Sequence, residues 1–319
     1  MARILSITPN PALDLTVRLT DLRLGEVNRS ESLNVHAAGK GLNVAQVLAD
    51  LGHRCTVSGF LGQSNPNDFD ALFARRGFVD EFVRVPGETR SNVKLAETGG
   101  RVTDINGPGL MASEQAQAML LARLARVAPG HDAVVVAGSL PRGVGIDWFS
   151  ELLRMLRQLD IPLAVDTSGA ALRAALEVSP WLVKPNEEEL ASACGATLDS
   201  SATLAGEAGR LRDTGIAHVV VSRGAEGVSW FGPEGLLQAT PPRVEVVSTV
   251  GAGDSLLAGM LHGLLAGWTG ERTLRLATAV AAQAVGQIGF GIGDRQQLAR
   301  LETEVSVQAL APTLTRGAE

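Results

Sequence analysis

Along most of the chain, short continuous apolar runs alternate with segments whose apolar positions recur three and four apart. The first pattern predicts strands buried on both faces, the second amphipathic helices. "ARILSIT" reads as a strand, and "LNVAQVLADLG" as a helix with Val44, Val47, Leu48 and Leu51 on one face and Gly52 as its stop. "CTVSGFLG" is a strand, "DFDALFARRG" and "MASEQAQAMLLARLARVAPG" are helices, and "AVVVAGSLP" is a buried strand. The alternation continues through "DWFSELLRMLRQLD", "PLAVDTS", "AALRAALEV", "WLVKPN", "EEELASACG", "ATLAGEAGRLRDTG" and "AHVVVSRG". Further on, "VEVVSTV" is a β-type run, and Leu256, Leu257, Met260, Leu261, Leu264 and Leu265 form a helical stripe. Such alternation implies an α/β fold, a mostly parallel central sheet with helices on both faces. Ligands bind such sheets beyond the carboxyl ends of the strands. "GSLP", "DTSG", "KPN", "SRG" and "TVGAGD" all fall there.

Two stretches break the rhythm, at roughly 13–35 and 88–106, where polar and apolar residues alternate with period two. They predict a small β-sheet lid, inserted into a single domain spanning 1–319. The final "APTLTRGAE" reads as a frayed tail.

Composition narrows the function. With 45% apolar and 19% charged residues the chain can build a sizeable core, which excludes a disordered protein. The formal net charge of −6 argues against nucleic acid or an anionic membrane as partner. It leaves room for small anionic ligands, which need only a local basic cluster. Cys55 and Cys194 show no metal or redox spacing, and "MARILSIT" reads as a strand rather than a signal peptide. The expectation is a reduced, cytoplasmic setting. No apolar stretch approaches bilayer-spanning length.

In "STVGAGDSLLAGM", Gly251, Ala252 and Gly253 precede a helix whose first turn carries Asp254. Three residues without bulk let backbone amides converge at a helix N-terminus, where the dipole favours an anion. Negative charge developing on a transferring phosphoryl group would be stabilised there. Asp254, under the same potential, is expected to stay ionised and able to take a proton from an attacking hydroxyl. The plain alternatives are close strand-on-helix packing and a helix-capping acid.

"AAGKGLNVA" repeats the construction, with Gly39 and Gly41 flanking Lys40 and Asn43 placed to bond sugar hydroxyls. An ordinary glycine turn with a solvated lysine is the other reading. "TRSNVKL" puts Arg90, Asn92 and Lys94 on one strand face, as a phosphate site or as the solvated face of an edge strand. "KPNEEEL" offers Asn186 and Glu189 at capping-box spacing, yet Glu189 near phosphates could also hold hydrated Mg²⁺. "SRGAEG" is either a nucleotide-phosphate loop or a plain turn.

In their order, "NPALD", "HAAGKGLNVAQVLADLG", "GFLG", "TRSNVKL", "GSLP", "KPNEEEL", "SRGAEG" and "TVGAGDSLLAGM" resemble the motifs of the PfkB, or ribokinase-like, carbohydrate kinases, over nearly the whole chain. The resemblance implies a ribokinase-like α/β core with a β-sheet lid, ATP and Mg²⁺, and transfer to a sugar-phosphate hydroxyl. The expected acceptor is fructose 1-phosphate, ahead of fructose 6-phosphate or tagatose 6-phosphate. A sugar-phosphate-binding regulator without catalysis is the reading from another class.

By motif, the resemblance makes Asp254 the catalytic base and Gly251, Ala252 and Gly253 the anion hole. Asp14, Gly39 and Asn43 become sugar-hydroxyl contacts. Lys40, Arg90 and Lys94 become partners of the phosphate already on the sugar, with Ser139 nearby. Lys184, Asn186, Ser222, Arg223, Gly224, Ala225, Glu226 and Gly227 fall on the nucleotide side together with Gly251 and Gly253, and Glu189 on the magnesium side. Ser248-Thr249-Val250 stands where many relatives carry Asp-Thr, which speaks against a monovalent-cation site. Relatives clasp lid on lid, implying a homodimer.

Overall fold

The computed structural model describes residues 1–310, so "APTLTRGAE" lies outside the described residues. The chain opens with β1 (Arg3–Thr8), β2 (Ala12–Leu19) and β3 (Ser32–Ala38), then α1 (Lys40–Asp50), β4 (Arg54–Gly62), α2 (Asn67–Arg76) and β5 (Val79–Val85). After β6 (Ser91–Glu97) and β7 (Val102–Asn106) come α3 (Glu114–Val127), β8 (Ala133–Ala137), α4 (Ile146–Arg157), β9 (Leu163–Asp166) and α5 (Gly169–Val178). Next are β10 (Leu182–Val183), α6 (Glu187–Cys194), α7 (Ser201–Asp213), β11 (His218–Ser222), β12 (Val228–Gly232) and β13 (Gly235–Thr240). The chain closes with α8 (Ala252–Leu265), α9 (Gly270–Val285), α10 (Arg295–Glu304) and β14 (Ser306–Leu310).

Ten strands form the central sheet in the order β14-β13-β12-β11-β10-β9-β8-β1-β4-β5. From β5 to β11 every pairing is parallel, and the β11–β14 end is antiparallel. Alternate residues on each strand feed opposite cores. On β1, Ile4 belongs to the core that includes residues of α1, α8 and α9, whereas Leu5 and Ile7 belong to the core that includes residues of α3, α4 and α5. Both faces are therefore covered, as continuous apolar strands require. Among the described residues no helix is long and apolar enough to cross a membrane.

Four strands form a second sheet in the order β3-β2-β6-β7. Its two excursions from the main chain path are joined by a parallel pairing of β2 with β6, in which Leu13 lies opposite Ser91 and Asp14 opposite Asn92. One cross-strand row reads Val35, Leu15, Val93 and Ile105; the neighbouring row on the other face reads His36, Asp14, Asn92 and Asn106. The period-two pattern thus yields one apolar face and one polar face.

The β-type run "VEVVSTV" is not a strand. The free edge of β13 is taken by β14, so the run has no sheet to join. Instead the Val247 and Ser248 amides both donate to the Val285 carbonyl, at 2.9 and 3.0 Å.

Candidate active site

Helices α1 and α8 both open on a glycine with a backbone that side chains disfavour. Gly39 has φ 134° and Gly251 has φ 84°, and neither helix has a side-chain cap. In α8 the ladder begins with the Ser255 N–H donating to the Gly251 carbonyl at 2.8 Å. The amides of Ala252, Gly253 and Asp254 precede it and are orphan donors. Space at this turn is tight: a Cβ on Gly253 would lie 3.1 Å from Lys184 Nζ.

The two helices pack side by side, and Asn43 Nδ2 donates to Asp254 Oδ2 at 2.8 Å. Both residues are buried. Burial pushes the Asp254 carboxyl up to about 6, helped by the nearby Asp166 charge and opposed by the Asn43 bond, Lys40 and Lys184. The helix dipole alone suggested a firmly ionised group; desolvation is the larger influence. Asp254 does not act as a cap, since no side chain caps α8.

Beside it lies an acid that the motifs did not single out. Asp166 ends β9, fully buried, and holds two lysines: Lys40 Nζ at 3.0 Å from Oδ1 and Lys184 Nζ at 3.2 Å from Oδ2. Burial works against its charge, but Lys184 and Lys40 outweigh that and keep the carboxyl below its ordinary range. Burial also opposes the Lys40 charge, yet Asp166 and Asp254 raise its pKa.

These groups face a cavity of about 400 Å³. Asp14, Gly39, Lys40, Asn43 and Arg90 line it from one side, and Lys184, Asn186, Glu189 and Ser222 from another. Gly251, Gly253 and Asp254 close it, with Ala252 between the glycines at the start of α8. Asp14 receives a 3.0 Å bond from Asn92 Nδ2; burial raises its pKa, and that bond with the charges of Lys94 and Arg90 opposes the rise. Arg90 donates to the carbonyls of Asn10, Pro11 and Gly107 at 3.2–3.4 Å, and burial lowers its pKa. Among the described residues it has no carboxylate within ion-pair distance.

Other sequence candidates lie outside this cavity. Lys94 sits 3.6 Å from Asp104 and lines an adjoining cavity of about 960 Å³, which shares Asp14, Asn92, Thr249 and Val250 with the first. Ser139 Oγ accepts from Asn10 Nδ2 at 3.1 Å. Arg142, undecided on sequence, donates to the Gly109 carbonyl. Arg223 pairs with Glu187 and Glu226, and Gly224, Ala225 and Glu226 form a single 3₁₀ turn closed by Gly227. Asn186 and Glu189 do form the capping box of α6, while both also line the cavity.

Sequence reasoning passed over Asp166 and read Asn92 with Arg90 and Lys94 as a phosphate contact, whereas its amide donates to Asp14. Asp166 had a signal: an acid ending the buried run "PLAVD", in a position that demands a cationic partner.

The chain as a whole has known counterparts. A family model described as pfkB family carbohydrate kinase matches residues 8–296. The 1-phosphofructokinase of Vibrio cholerae serotype O1 is 45% identical over 312 residues, 98% of each chain. The tetrameric inhibited form of phosphofructokinase-2 from Escherichia coli superposes with a TM-score of 0.87 at 27% identity, covering 95% of this chain and 99% of the other. Ribokinase from Thermotoga maritima shares the fold, with a TM-score of 0.76 at 18% identity over 95% of this chain and 100% of the other. The chain belongs to the PfkB family of carbohydrate kinases.

Proposed function

We propose that the protein transfers the γ-phosphoryl group of ATP to fructose 1-phosphate, making fructose 1,6-bisphosphate. One observation carries the reading. A single cavity places the buried Asp254 carboxylate and the orphan amides of α8 together with Arg90, a cation held only by neutral carbonyls. A phosphate on the acceptor supplies the charge that Arg90 lacks. The name of the Vibrio relative supports fructose 1-phosphate as that acceptor.

In the proposed reaction, Asp14 and Asn43 orient the sugar, and Gly39 lets its backbone approach. Asp254 accepts the proton of the attacking hydroxyl as its oxygen bonds to the γ-phosphorus. The bond from that phosphorus to the β–γ bridging oxygen breaks, and ADP leaves. Transfer is largely dissociative, so charge spreads over the phosphoryl oxygens. The amides of Ala252 and Gly253, with Lys40 and Lys184, stand ready to receive it. Lys184 to Asn186 and Ser222 to Gly227 form the nucleotide side. Lys94 and Ser139 come within reach of the sugar phosphate once the small sheet closes as a lid.

Mg²⁺ fits through one carboxylate. Glu189 Oε2 accepts the Asn186 backbone N–H at 2.9 Å, which leaves Oε1 unused by that bond, and the residue lines the cavity. No group of three or more metal-binding side chains exists among the described residues. That suits an ion carried on nucleotide phosphates and reached through water. When bound, it neutralises phosphate charge. ATP as substrate and two free cysteines agree with a cytoplasmic enzyme.

Acceptor choice is the direct test. In an ADP-release assay, fructose 1-phosphate should exceed free fructose by at least about 10²-fold in kcat/KM, since fructose leaves Arg90 unpaired in a closed site. Comparable turnover of free fructose would refute the role of Arg90. Preference for fructose 6-phosphate or tagatose 6-phosphate would reassign the acceptor, and no turnover at all would leave the binding regulator.

We further infer a homodimer through the small sheet. Its apolar face is open: Leu33 is 57% exposed, Val35 41% and Ile105 56%. An apolar sheet face with free edges invites a second copy. Light scattering at micromolar concentration should give twice the chain mass. Ile105→Lys should shift it toward monomer, and a fully active wild-type monomer would end the idea.

A further inference from the structure

Between α9 and α10 the chain runs without regular secondary structure through residues 286–294. Ile288, Gly289 and Phe290 line the second cavity. The Phe290 ring abuts the turn that opens α8: a Cβ on Gly251 would lie 3.0 Å from Phe290 Cδ1. Phe290 is therefore the wall against which that turn rests.

An irregular segment keeps its shape only through specific ties, because no ladder of backbone bonds fixes it. Gln283 and Gln287 bond the Asp294 and Gly291 carbonyls, and the remaining side-chain ties around Phe290 and Ile292 converge on one ion pair. Asp50 Oδ2 accepts the Ile292 N–H at 2.8 Å. Asp50 Oδ1 pairs with Arg76 Nη1 at 2.6 Å, and Arg76 Nη2 donates to the Phe290 carbonyl at 3.5 Å. The Asp50 carbonyl also accepts from Arg295 Nη2. Gly291 lets the chain lie against the pair; a Cβ there would collide with the Asp50 carboxylate and come within 2.7 Å of Arg76 Nη2. Asp50 ends α1 and Arg76 ends α2, so the two helix ends and the segment are locked together.

A surface ion pair by itself contributes little. This one is half-buried, with side-chain exposures of 21% and 23%, and its carboxylate also accepts a backbone amide. Charge-assisted bonds of that kind are the stronger ones. Neither Asp50 nor Arg76 lines either cavity.

We propose that Asp50 and Arg76 are positioning residues for phosphoryl transfer: they hold residues 286–294 so that Phe290 fixes the Gly251 turn where the nucleotide phosphates bind. The proposal rests on the kinase reading above. Loosening the segment weakens ATP binding, whereas the acceptor contacts of Asp14 and Arg90 lie on the small sheet and beside it.

Asp50→Ala and Arg76→Ala should each raise KM for ATP about 5–10-fold and leave KM for fructose 1-phosphate within about twofold, the scale expected of sub-ångström misplacement. Arg76→Lys, which keeps the ion pair, should restore most of the ATP affinity. A merely structural role would lower the active fraction without separating the two KM values. Hydrogen exchange gives a readout independent of turnover: the Ile292 amide should exchange faster in Asp50→Ala. If wild-type protein phosphorylates no sugar phosphate, the kinase reading fails while exchange still tests the tie. Should the alanine variants not fold, Phe290→Ala removes the wall without touching the ion pair and should give the same KM separation. Unchanged KM for ATP in the folded variants, a parallel rise in both KM values, or unaltered Ile292 exchange would each overturn the proposal.

Discussion

Asp254→Asn protein is expected to fold, to bind ATP with nearly unchanged KM, and to lose at least about 10²–10⁴-fold in kcat, the range for removing a general base. The substitution is nearly isosteric, and the amides of Ala252 and Gly253 remain in place to hold the phosphoryl group. The new amide also faces Asn43 Nδ2, now donor against donor unless one side chain flips. Wild-type kcat/KM should carry an acidic limb. The Asp254 carboxyl is pushed up to about 6 by burial, and only its ionised form accepts a proton, so activity should fall as pH drops through that value. The variant should lack that limb in whatever activity remains. Steady-state kinetics across pH 5–8 decides the matter: a kcat within a few-fold of wild type would move the base elsewhere.

Asp166→Asn should strongly destabilise the protein. It removes the shared partner of two lysines. Lys40, with its side chain 38% exposed, can turn toward water, but Lys184, at 4%, cannot. Breaking a buried pair by removing one member costs about 3–5 kcal/mol, because an uncompensated charge stays behind. For a chain of this size that lowers Tm by roughly 5–15 °C. Activity should fall by about 10²-fold or more, since the lysines lose their placement against the phosphoryl oxygens. Adding Lys184→Met removes the stranded charge and should recover much of the melting temperature but none of the activity. A single variant that melts with wild type would show that the two lysines find other partners.

The alternation of buried strands and amphipathic helices was legible because each strand buries both faces, leaving no polar period to confuse the pattern. Residues 79–85 escaped it. As the edge strand β5, they carry Asp80, Glu81 and Arg84 at positions an inner strand would fill with apolar residues. "VEVVSTV" misled in the opposite sense: its β-branched residues suit a strand, but strand formation depends on an available edge, and β14 arrives from sixty positions later to take it. The candidate site was legible wherever a local motif carries it, as at Gly39–Asn43 and Gly251–Asp254. Asp166 and the Asp50–Arg76 tie were not, because their meaning lies in partners distant along the chain. The ion pairs of Asp166 reach back to Lys40 and forward to Lys184.

The Asn43–Asp254 hydrogen bond joins residues 211 positions apart. On the ribosome, a chain emerges from its N-terminus. The small sheet and α1 therefore emerge well before α8 has been made. Until then the nascent chain lacks the carboxylate and the turn proposed here for phosphoryl transfer, and Asn43 lacks its Asp254 partner. Contacts of such long sequence separation form slowly and late. The order of synthesis is thus also an order of assembly: the elements proposed to face the sugar come first, and the turn and carboxylate proposed for phosphoryl transfer come later, with α9 and the segment that walls the turn still to follow.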